Sequence, residues 1–496
     1  MDRCALSLTV PHLKGPLVSV SALPKHVVVV GGGIAGLAAA EFLKRDGGDA
    51  VRVTVLEASA VIGGKVRVSE VAGVPVDEGA ESMLARRPEG VDLIKAIGLS
   101  NELVYPATTT ARIWTRGALR SLPAGHVMGV PGEMRALTAT GLLSSTGLAR
   151  VVLDRVLPRT PFPADVAIGR YVTARLGREV VDRLVEPLLG GIYAGHADAL
   201  SLDATAPSLA PVVRQERSLL AAVRRVRADG LVTSGPVFAG VQGGLGRLPR
   251  ALAAASGAQV RTNTSVHELR RRPAGWQVIA GPPRAPEVIE ADAVIVAAPA
   301  NQAAQLLVAE LPAAAAELAA IEYASVAVIT LGYSAAAFPK PFLSGDSSGF
   351  LVPPVEGRLI KAVTYSSVKW KWVRQAQPDT VIVRLSIGRH GDERDLEHSD
   401  DELIARCARE LKEAIRIAAN PLAARVTRWG SAMPQYAVGH RERVARIRTA
   451  VAQAPGLAVC GAAYDGVGIP ACIATAHQAA THIARGPLWP GFVTYT

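Results

Sequence analysis

The stretch VVVVGGGIAGLAAAEFLKR, residues 27–45, decides the fold. Four consecutive valines are typical of a strand that is buried on both faces, and the residues after the glycines have the apolar spacing of a helix. Between them, Gly31, Gly33 and Gly36 form the pattern GxGxxG, which permits a tight turn and lets backbone amides approach a pyrophosphate. We therefore expect a βαβ unit that binds a dinucleotide.

A second apolar strand is predicted at 51–56, and Glu57 follows it, twenty-one residues after Gly36. A carboxylate at this place can accept hydrogen bonds from the adenosine ribose hydroxyls. The plainer alternative is a glycine-rich helix start followed by an unrelated surface glutamate. The predicted cofactor contacts in this unit are Gly31, Gly32, Gly33, Ile34, Ala35, Gly36 and Glu57.

Further segments resemble the extended signature of the glutathione-reductase and amine-oxidase types of flavoprotein. These are Glu57-Ala58 followed by Gly63-Gly64-Lys65-Val66, a late strand predicted over 260–266, and Gly461-Ala462-Ala463-Tyr464-Asp465-Gly466-Val467-Gly468-Ile469 at a strand-to-helix junction. The resemblance implies FAD, bound without a covalent bond, although a plain strand-to-helix turn stays open for the last segment. It adds as contacts Ala58, Gly64, Lys65, Gly79, Ala80, Glu81, Ser82, Val266, Ala462, Val467, Gly468 and Ile469.

Composition narrows the function classes. With 49% hydrophobic and 20% charged residues, the 496-residue chain has an ordinary globular profile. The net charge of +11 is carried by scattered arginines with only 4% aromatic residues, which disfavours nucleic acid and favours an anionic ligand or a lipid surface. The four cysteines and ten histidines form no CxxC or HExxH pattern, so we predict no metal and a reducing compartment. The pattern predicts no transmembrane helix.

The periodicity along the chain predicts several structural regions, as the length requires. Among its elements are β-like sequence around 112–115, a helix near 400–418 and a C-terminal helix at about 470–485. We expect a Rossmann-type FAD-binding domain of mixed α/β and α+β class, like those of glutathione reductase and p-hydroxybenzoate hydroxylase. It is completed by a mixed-sheet substrate domain and an inserted helical domain. The predicted boundaries are a flexible tail at 1–24, the FAD-binding domain at 25–105, 236–300 and 426–496, the substrate domain at 106–125 and 301–425, and the helical domain at 126–235.

Four later motifs carry a more specific resemblance. They are DEGAES at 77–82, EPLLGGIYAG at 186–195, GFLVP at 349–353, and MPQY at 433–436 with Gly439-His440. With them, the chain resembles the oxygen-dependent protoporphyrinogen and coproporphyrinogen oxidase family from His26 to the C-terminal helix. The resemblance implies a six-electron oxidation of a porphyrinogen, with hydride transfer to flavin N5, no catalytic side chain, and three O₂ reduced to H₂O₂.

The same resemblance implies a substrate site. Arg112 takes the position of the arginine that binds a substrate carboxylate, and Ile192, Tyr193, Gly349 and Leu351 line the macrocycle cavity. A solvated strand arginine and ordinary core residues are the alternatives. The basic chain favours coproporphyrinogen III, with protoporphyrinogen IX left open. A cytoplasmic enzyme is expected, with peripheral membrane contact through the helical domain at most, and transient contact with the next haem-pathway enzyme.

Three other functions stay open at this point. A flavin amine oxidase shares the early motifs, but Tyr464 alone makes no aromatic cage and no cysteine motif for a covalent flavin is evident. A carotenoid desaturase is a further possibility. A non-catalytic carrier of flavin or porphyrin represents a different class, against which the cofactor segments at both ends of the chain argue.

Overall fold

The computed structural model describes residues 24–161, 164–229, 235–343 and 345–486. The predicted tail therefore lies outside the described residues, apart from residue 24. The strands, in chain order, are β1 (Lys25–Val30), β2 (Val51–Leu56), β3 (Val68–Val71), β4 (Val74–Asp77), β5 (Met83–Leu84), β6 (Leu103–Val104), β7 (Arg112–Thr115), β8 (Ala118–Ser121), β9 (Phe238–Val241), β10 (Gln259–Arg261), β11 (Val266–Arg272), β12 (Gly275–Ala280), β13 (Glu287–Ala291), β14 (Ala293–Val296), β15 (Tyr323–Ser334), β16 (Gly349–Leu351), β17 (Ala362–Tyr365), β18 (Thr380–Ile387), β19 (Ala423–Pro434) and β20 (Leu457–Val459).

The helices complete the description of the secondary structure. They are α1 (Ile34–Gly47), α2 (Pro88–Ala96), α3 (Met134–Thr140), α4 (Ser145–Val152), α5 (Ile168–Leu176), α6 (Arg178–Val180), α7 (Glu186–Tyr193), α8 (Leu202–Thr205), α9 (Ala210–Val213), α10 (Leu219–Ala228), α11 (Leu248–Ser256), α12 (Ala300–Leu307), α13 (Pro312–Ala319), α14 (Lys340–Leu343), α15 (Ser366–Lys369), α16 (Lys371–Ala376), α17 (Asp400–Ile415), α18 (His440–Val451) and α19 (Ile469–Ala484).

A five-stranded parallel sheet holds the two ends of the chain together. Its order is β10-β2-β1-β14-β20, so the first strand lies at its centre and a strand from the last forty residues at its edge. The valines of β1 are almost fully buried because helices or strands cover both faces of a parallel sheet. Helices α1 and α19 pack against each other on one of these faces. The loop after β1 therefore lies beside the turn after β20.

The predicted strand over 260–266 is divided in two. The strand β10 ends at Arg261, and β11 begins at Val266 in a separate three-stranded antiparallel sheet with β12 and β13. Asn263 lies between them with a φ of +51°, in the left-handed region that turns favour. The apolar residues at both ends of the segment suggested one strand, whereas the intervening turn sends the chain into another sheet.

The largest sheet has seven strands in the order β19-β15-β18-β17-β16-β7-β8. Because strand residues alternate between faces, two faces can be assigned along β16, β17 and β18. The inner face carries Gly349, Leu351, Ala362, Thr364, Arg384 and Ser386. The opposite face, here called the α17 face, carries Phe350, Val363 and Leu385 and packs on α17. Helix α17 begins with a capping box between Ser399 and Glu402.

Helices α3 to α10 follow β8 and precede β9, and they share one apolar core. This core also contains Ile113 from β7 and Tyr436 after β19, so it is joined to the seven-stranded sheet. A fully buried ion pair between Arg175 and Asp154 lies at its centre. These elements coincide with the region predicted to be helical, while the division of the chain into domains stays a prediction.

Candidate functional site

The loop between β1 and α1 has the geometry of a dinucleotide cradle. Gly31 has a φ of +110°, and a Cβ there would lie 2.7 Å from the Ala297 carbonyl oxygen. A Cβ on Gly36 would overlap the Gly31 carbonyl oxygen. Around Gly33, in contrast, no atom of a described residue lies within 4 Å of the Cβ position. The free space lies where the second glycine of this motif lets a pyrophosphate approach the backbone.

Ile34 and Ala35 form the first turn of α1, with Gly33 at its N-cap. The first N–H groups of a helix have no partners within the helix, and its dipole favours negative charge there. No acidic residue stands in this turn of α1. The start of α1 is thus suited to an anionic phosphate.

Glu57 lies beside this loop at the end of β2. Its carboxylate accepts hydrogen bonds from the backbone N–H groups of Gly32 and Ser59, each at 2.8 Å. Its own carbonyl oxygen accepts from the Thr264 N–H at 2.8 Å, which brings the start of β11, and hence Val266, next to Glu57 and Ala58. The structure therefore brings together the residues predicted to contact the adenosine part of FAD.

The second glycine pair continues the same groove. The Gly63 N–H donates to the Gly32 carbonyl oxygen at 2.8 Å, and a Cβ on Gly64 would lie 3.5 Å from the Gly33 Cα atom. Lys65 follows, and its ammonium group has no hydrogen bond or ion pair with a described residue. Burial lowers the pKa of Lys65. A lysine directly after this glycine pair, without a partner among the described residues, is available to a phosphate of FAD.

The segment 79–82 lies against Lys65, which follows the second glycine pair. The Ala80 N–H donates to the Lys65 carbonyl oxygen at 3.3 Å, and a Cβ on Gly79 would overlap the same oxygen. Glu81 then forms ion pairs of 2.6 Å with both Lys369 and Arg384. Burial alone would raise the pKa of the Glu81 carboxyl, but these two cations outweigh it and lower the pKa to about 2. Glu81 is therefore ionised throughout the physiological range.

The turn after β20 closes the groove from the C-terminal side. A Cβ on Gly461 would lie 4.0 Å from the Ala35 Cβ, so this turn meets the start of α1. The Tyr436 hydroxyl donates to the Ala462 carbonyl oxygen at 2.6 Å. Gly468 is the N-cap of α19 and Ile469 its first residue. The N-termini of α1 and α19 thus both lie at this groove.

The predicted substrate residues other than Arg112 lie at or near the inner face of the seven-stranded sheet. A Cβ on Gly191 would lie 3.5 Å from the Leu351 Cδ2 atom, so α7 crosses β16 here. Tyr193 is buried 5.5 Å from the Tyr436 ring, while Ile192 is 40% exposed. Val467, a predicted cofactor contact, packs on the apolar cluster that contains both tyrosines. The residues predicted to contact the macrocycle therefore adjoin a residue predicted to contact the flavin.

Gly349 has a structural reason to be glycine in this region. Its φ is +148°, and a Cβ would overlap the Val363 carbonyl oxygen across the sheet. Leu351 follows two positions along β16 on the same face. Gly349 thus permits the close pairing of β16 and β17 that presents Leu351 to α7.

Arg112 is not brought together with these residues. Its guanidinium pairs with Asp346 at 3.1 Å. In β7, Ile113 faces the helical core, whereas Arg112 shares the α17 face with Trp114 and with its partner in register, Phe350. Its role as a carboxylate ligand stays a prediction.

Lys369 and Arg384 were missed by reasoning from sequence. They hold Glu81 from segments 288 and about 300 residues away in the chain, and such pairings leave no local pattern. One signal was available, since Arg384 interrupts the otherwise apolar strand TVIVRLSI, and an arginine in a buried strand needs a partner.

Two absences can be stated for the described parts of the chain. Across residues 24–161, 164–229, 235–343 and 345–486, no three His, Cys, Asp or Glu side chains are grouped as metal ligands. Within the same ranges, no helix has the length and apolar character needed to cross a bilayer.

Comparison with known proteins adds independent findings. The family model of flavin containing amine oxidoreductases matches residues 34–484. A coproporphyrinogen III oxidase from Mycobacterium leprae (strain TN) is 39% identical over 457 residues, which cover 91% of this chain and 96% of the relative. The coproporphyrinogen III oxidase of Bacillus subtilis (strain 168) is 33% identical over 468 residues, with coverage of 90% and 96%.

A solved structure is also similar along nearly the whole chain. It is the crystal structure of a protein from Exiguobacterium sp. 255-15, named as a proposed protoporphyrinogen oxidase. It superposes with a TM-score of 0.80 at 32% identity and covers 92% of this chain and 98% of its own.

Proposed function

The chain belongs to the family of flavin containing amine oxidoreductases, and we propose that its substrate is coproporphyrinogen III, which it oxidises to coproporphyrin III. Membership of the family confirms the flavoprotein fold, FAD as the cofactor and the oxidoreductase class that the sequence predicts. The substrate rests on one observation, the identity of 39% and 33% to two coproporphyrinogen III oxidases over at least 90% of each chain.

The reaction removes six electrons and six protons from the macrocycle. Bound FAD supplies an acceptor for one hydride at a time, and O₂ regenerates it with release of H₂O₂. One coproporphyrinogen III and three O₂ thus give one coproporphyrin III and three H₂O₂. Because the product is aromatic, no strong base is required, and the protein contributes mainly by holding the macrocycle in place and excluding water.

We assign this positioning to residues of α7 and β16. Leu351 presents an apolar side chain on the inner face of the seven-stranded sheet, against α7. In α7, Tyr193 is nearly buried and Ile192 is 40% exposed. Arg112, at the start of β7, is proposed as a ligand for one propionate. Its present partner Asp346 has a side chain that is 79% exposed, so a substrate carboxylate could take the place of that carboxylate.

The substrate proposal is tested by turnover in air. Porphyrin fluorescence is followed with coproporphyrinogen III and with protoporphyrinogen IX, and H₂O₂ is measured in parallel. We expect kcat/KM to favour coproporphyrinogen III by about tenfold or more, with three H₂O₂ for each porphyrin. Leu351→Ala should raise KM, whereas Leu422→Ala, at a residue that is 69% exposed, should not. Turnover of neither porphyrinogen by FAD-loaded protein would contradict the proposal.

The alternatives are outcomes of the same assay. The Exiguobacterium neighbour favours protoporphyrinogen IX as the second candidate. A preference for this substrate would keep the reaction class and change the ligand. Oxidation of an amine or a polyene, with no porphyrin formed, would indicate an amine oxidase or a desaturase, and FAD that stays oxidised with every substrate would indicate a carrier.

A peripheral membrane contact is part of the proposal, in a cytoplasmic setting. Val152, Leu153 and Val156 are exposed side by side in the helical region, Val156 at 71%, with the exposed Arg155 and Arg159 beside them. Apolar side chains next to cations suit the surface of an anionic bilayer. We expect cosedimentation with vesicles of anionic lipids, weakened by Val156→Glu, and equal binding of both proteins would contradict this surface.

The cytoplasmic setting is supported by the cysteines. Cys407, Cys460 and Cys472 are buried free thiols, as expected in a reducing compartment. Transient contact with the next haem-pathway enzyme is a further part of the proposal. Its test is a change in the transfer rate of product when the two proteins are mixed.

A further inference from the structure

A cluster of buried charges lies between the two halves of the site. The Glu81 cluster, as we call it, consists of Glu81, Lys369 and Arg384, whose side chains are 11%, 12% and 9% exposed. The Lys369 ammonium donates to Glu81 at 2.6 Å and to the Ser82 hydroxyl at 3.2 Å. The Ser366 hydroxyl donates to the other Glu81 oxygen at 3.3 Å.

The cluster adjoins the dinucleotide groove at one end. The Arg384 guanidinium donates to the Gly79 carbonyl oxygen at 2.6 Å. Gly79 and Ala80 in turn lie against Lys65, which follows the glycine pair beside Gly33. The cluster is thus two short contacts away from the place that fits the phosphates of FAD.

At its other end, the cluster adjoins the substrate residues. Arg384 and Leu351 project from the same inner face of the seven-stranded sheet. One strand, β17, lies between them, and they are two residues apart along the strand direction, which corresponds to about 10 Å across the sheet and about 7 Å along it. A flavin ring that joined the phosphate end of the groove to the macrocycle would lie near this cluster.

The charges do not cancel within the cluster. Two cations face one carboxylate, and the buried Nε–H of Arg384 has no acceptor among the described residues. Asp77 is close enough to interact with the charge of Arg384, but its carboxylate accepts hydrogen bonds from the backbone N–H groups of Leu245 at 3.1 Å and Gly246 at 3.0 Å. Burial raises the pKa of Asp77 to about 6.

We propose that the Glu81 cluster sets the midpoint potential of bound FAD through its charge. Reduction places negative charge on the flavin, and buried charges act on it with little screening. Lys369 and Arg384 stabilise the reduced cofactor, while Glu81 limits this effect and holds both cations in place. The proposal rests on FAD as the cofactor and is independent of which substrate is oxidised.

The test compares changes of opposite charge in the full-length protein loaded with FAD. Glu81→Gln removes a negative charge and should raise the midpoint potential, whereas Lys369→Met removes a positive charge and should lower it. The potential is measured by equilibration with reference dyes, without porphyrinogen, at about pH 8 so that Asp77 is ionised. We expect a change of about tenfold in the ratio of reduced to oxidised flavin for each variant, which is about 30 mV for two electrons.

Two further variants separate charge from mere structure. Lys369→Arg keeps the charge and should keep the wild-type potential. Glu317→Gln removes a carboxylate from the surface ion pair with Arg446 and should leave the potential unchanged. The proposal is overturned if both cluster variants shift the potential in the same direction or no more than Glu317→Gln does. If Glu81→Gln fails to hold FAD, the Lys369→Met and Lys369→Arg pair decides, since equal shifts would exclude charge as the cause.

Since no porphyrinogen enters the titration, its result and the turnover result are separable. Opposite shifts with no turnover would leave this inference standing and overturn the proposed substrate. Turnover of coproporphyrinogen III with unshifted potentials would support the proposed substrate and overturn this inference.

Discussion

Two regions of the molecule differ in the kind of side chain that they bury. One surrounds the five-stranded parallel sheet, and the other consists of the seven-stranded sheet and the helices α3 to α10. Around the parallel sheet, the interior is a nearly continuous set of Val, Ala, Leu and Ile side chains, and the loop at its edge depends on glycines. The other region contains buried ions, among them Arg175 with Asp154, Glu81 with its two cations, and Lys361. Close backbone contacts therefore shape the loop of the first region, and buried charges are a feature of the second.

This difference has a consequence for mutation. In the first region, damage comes from added volume, because backbone atoms approach each other closely. In the second, damage comes from a charge left without its partner, which costs more than the pair contributes. Four changes test this contrast, from the largest expected effect to the smallest.

The largest effect is expected for Asp154→Ala in the helical region. Asp154 binds the Arg175 guanidinium at 2.7 Å and also accepts from the Ser218 hydroxyl at 2.6 Å and the Leu220 N–H at 3.0 Å. Removal leaves a fully buried guanidinium unpaired, so the free energy of unfolding should fall by about 3–5 kcal/mol. Urea denaturation of the two proteins measures this difference.

The matched control removes both charges. Asp154→Leu combined with Arg175→Met should recover most of the loss, because no isolated ion is then buried. A loss below about 1 kcal/mol for Asp154→Ala, the value of an exposed pair, would mean that the helical region does not depend on buried charge.

The second effect is expected for Gly36→Ala in the parallel-sheet region. The new Cβ would overlap the Gly31 carbonyl oxygen, so α1 has to move away from β1. We expect a loss of about 3 kcal/mol in the free energy of unfolding, as for a severely overpacked core, together with loss of FAD. Gly73→Ala is the control, since its φ of +76° costs about 1 kcal/mol without any atom nearby. A loss for Gly36→Ala no larger than that for Gly73→Ala would mean that the contact with the Gly31 carbonyl oxygen is relieved at little cost.

The same contrast explains what the sequence could predict. The unit β1–α1–β2, the contacts around Gly33 and Glu57, helix α17 and helix α19 follow from spacing over a few tens of residues. The predicted C-terminal helix at 470–485 is observed at Ile469–Ala484. Local patterns suffice here because backbone geometry and apolar periodicity act over short distances along the chain.

In the second region, the partners of charged residues and the faces of strands could not be predicted from the sequence, and the reason is physical. Glu81 was singled out as a cofactor contact, but Lys369 lies 288 residues later, and its pairing depends on how the sheets meet. Strand β7 was predicted correctly at 112–115, yet the face on which Arg112 lies depends on its pairing with β16. A shift of one residue in register exchanges the two faces, and no local pattern reports it.

A smaller change in the free energy of unfolding, and a gain rather than a loss, is expected for Lys361→Met. Burial, aided by the Arg389 cation, lowers the pKa of Lys361 from 10.5 to about 7. The unfolded chain therefore binds this proton up to a higher pH than the native protein does. The native state is penalised fully below pH 7, and it gains stability as the pH rises from 7 to 10.5.

Lys361→Met should remove this penalty. The shift corresponds to at most ~5 kcal/mol, and loss of the hydrogen bond to the Gly388 carbonyl oxygen offsets part of it, so we expect a gain of about 2 kcal/mol at neutral pH. The gain should diminish when unfolding is repeated at about pH 10, because the native lysine is then neutral. Lys412→Met, at a lysine whose ammonium is exposed and bonded to Asn420, is the control. A gain that does not change with pH would assign the effect to packing.

The smallest effect on the fold is expected for Gly33→Ala, three residues before Gly36 in the same loop. With a φ of −75° and no described atom within 4 Å of the Cβ position, alanine is accommodated, and the unfolding free energy of the FAD-free protein should change by less than about 0.5 kcal/mol. The methyl group would occupy the space that fits the pyrophosphate, so the Kd for FAD should rise about tenfold or more. Quenching of FAD fluorescence measures this Kd.

Gly430→Ala, another position with open space, should leave the Kd for FAD unchanged. An unchanged Kd for Gly33→Ala would mean that the phosphates bind elsewhere and that the glycines serve the fold alone, whereas a raised Kd with intact stability would separate binding from folding within one loop.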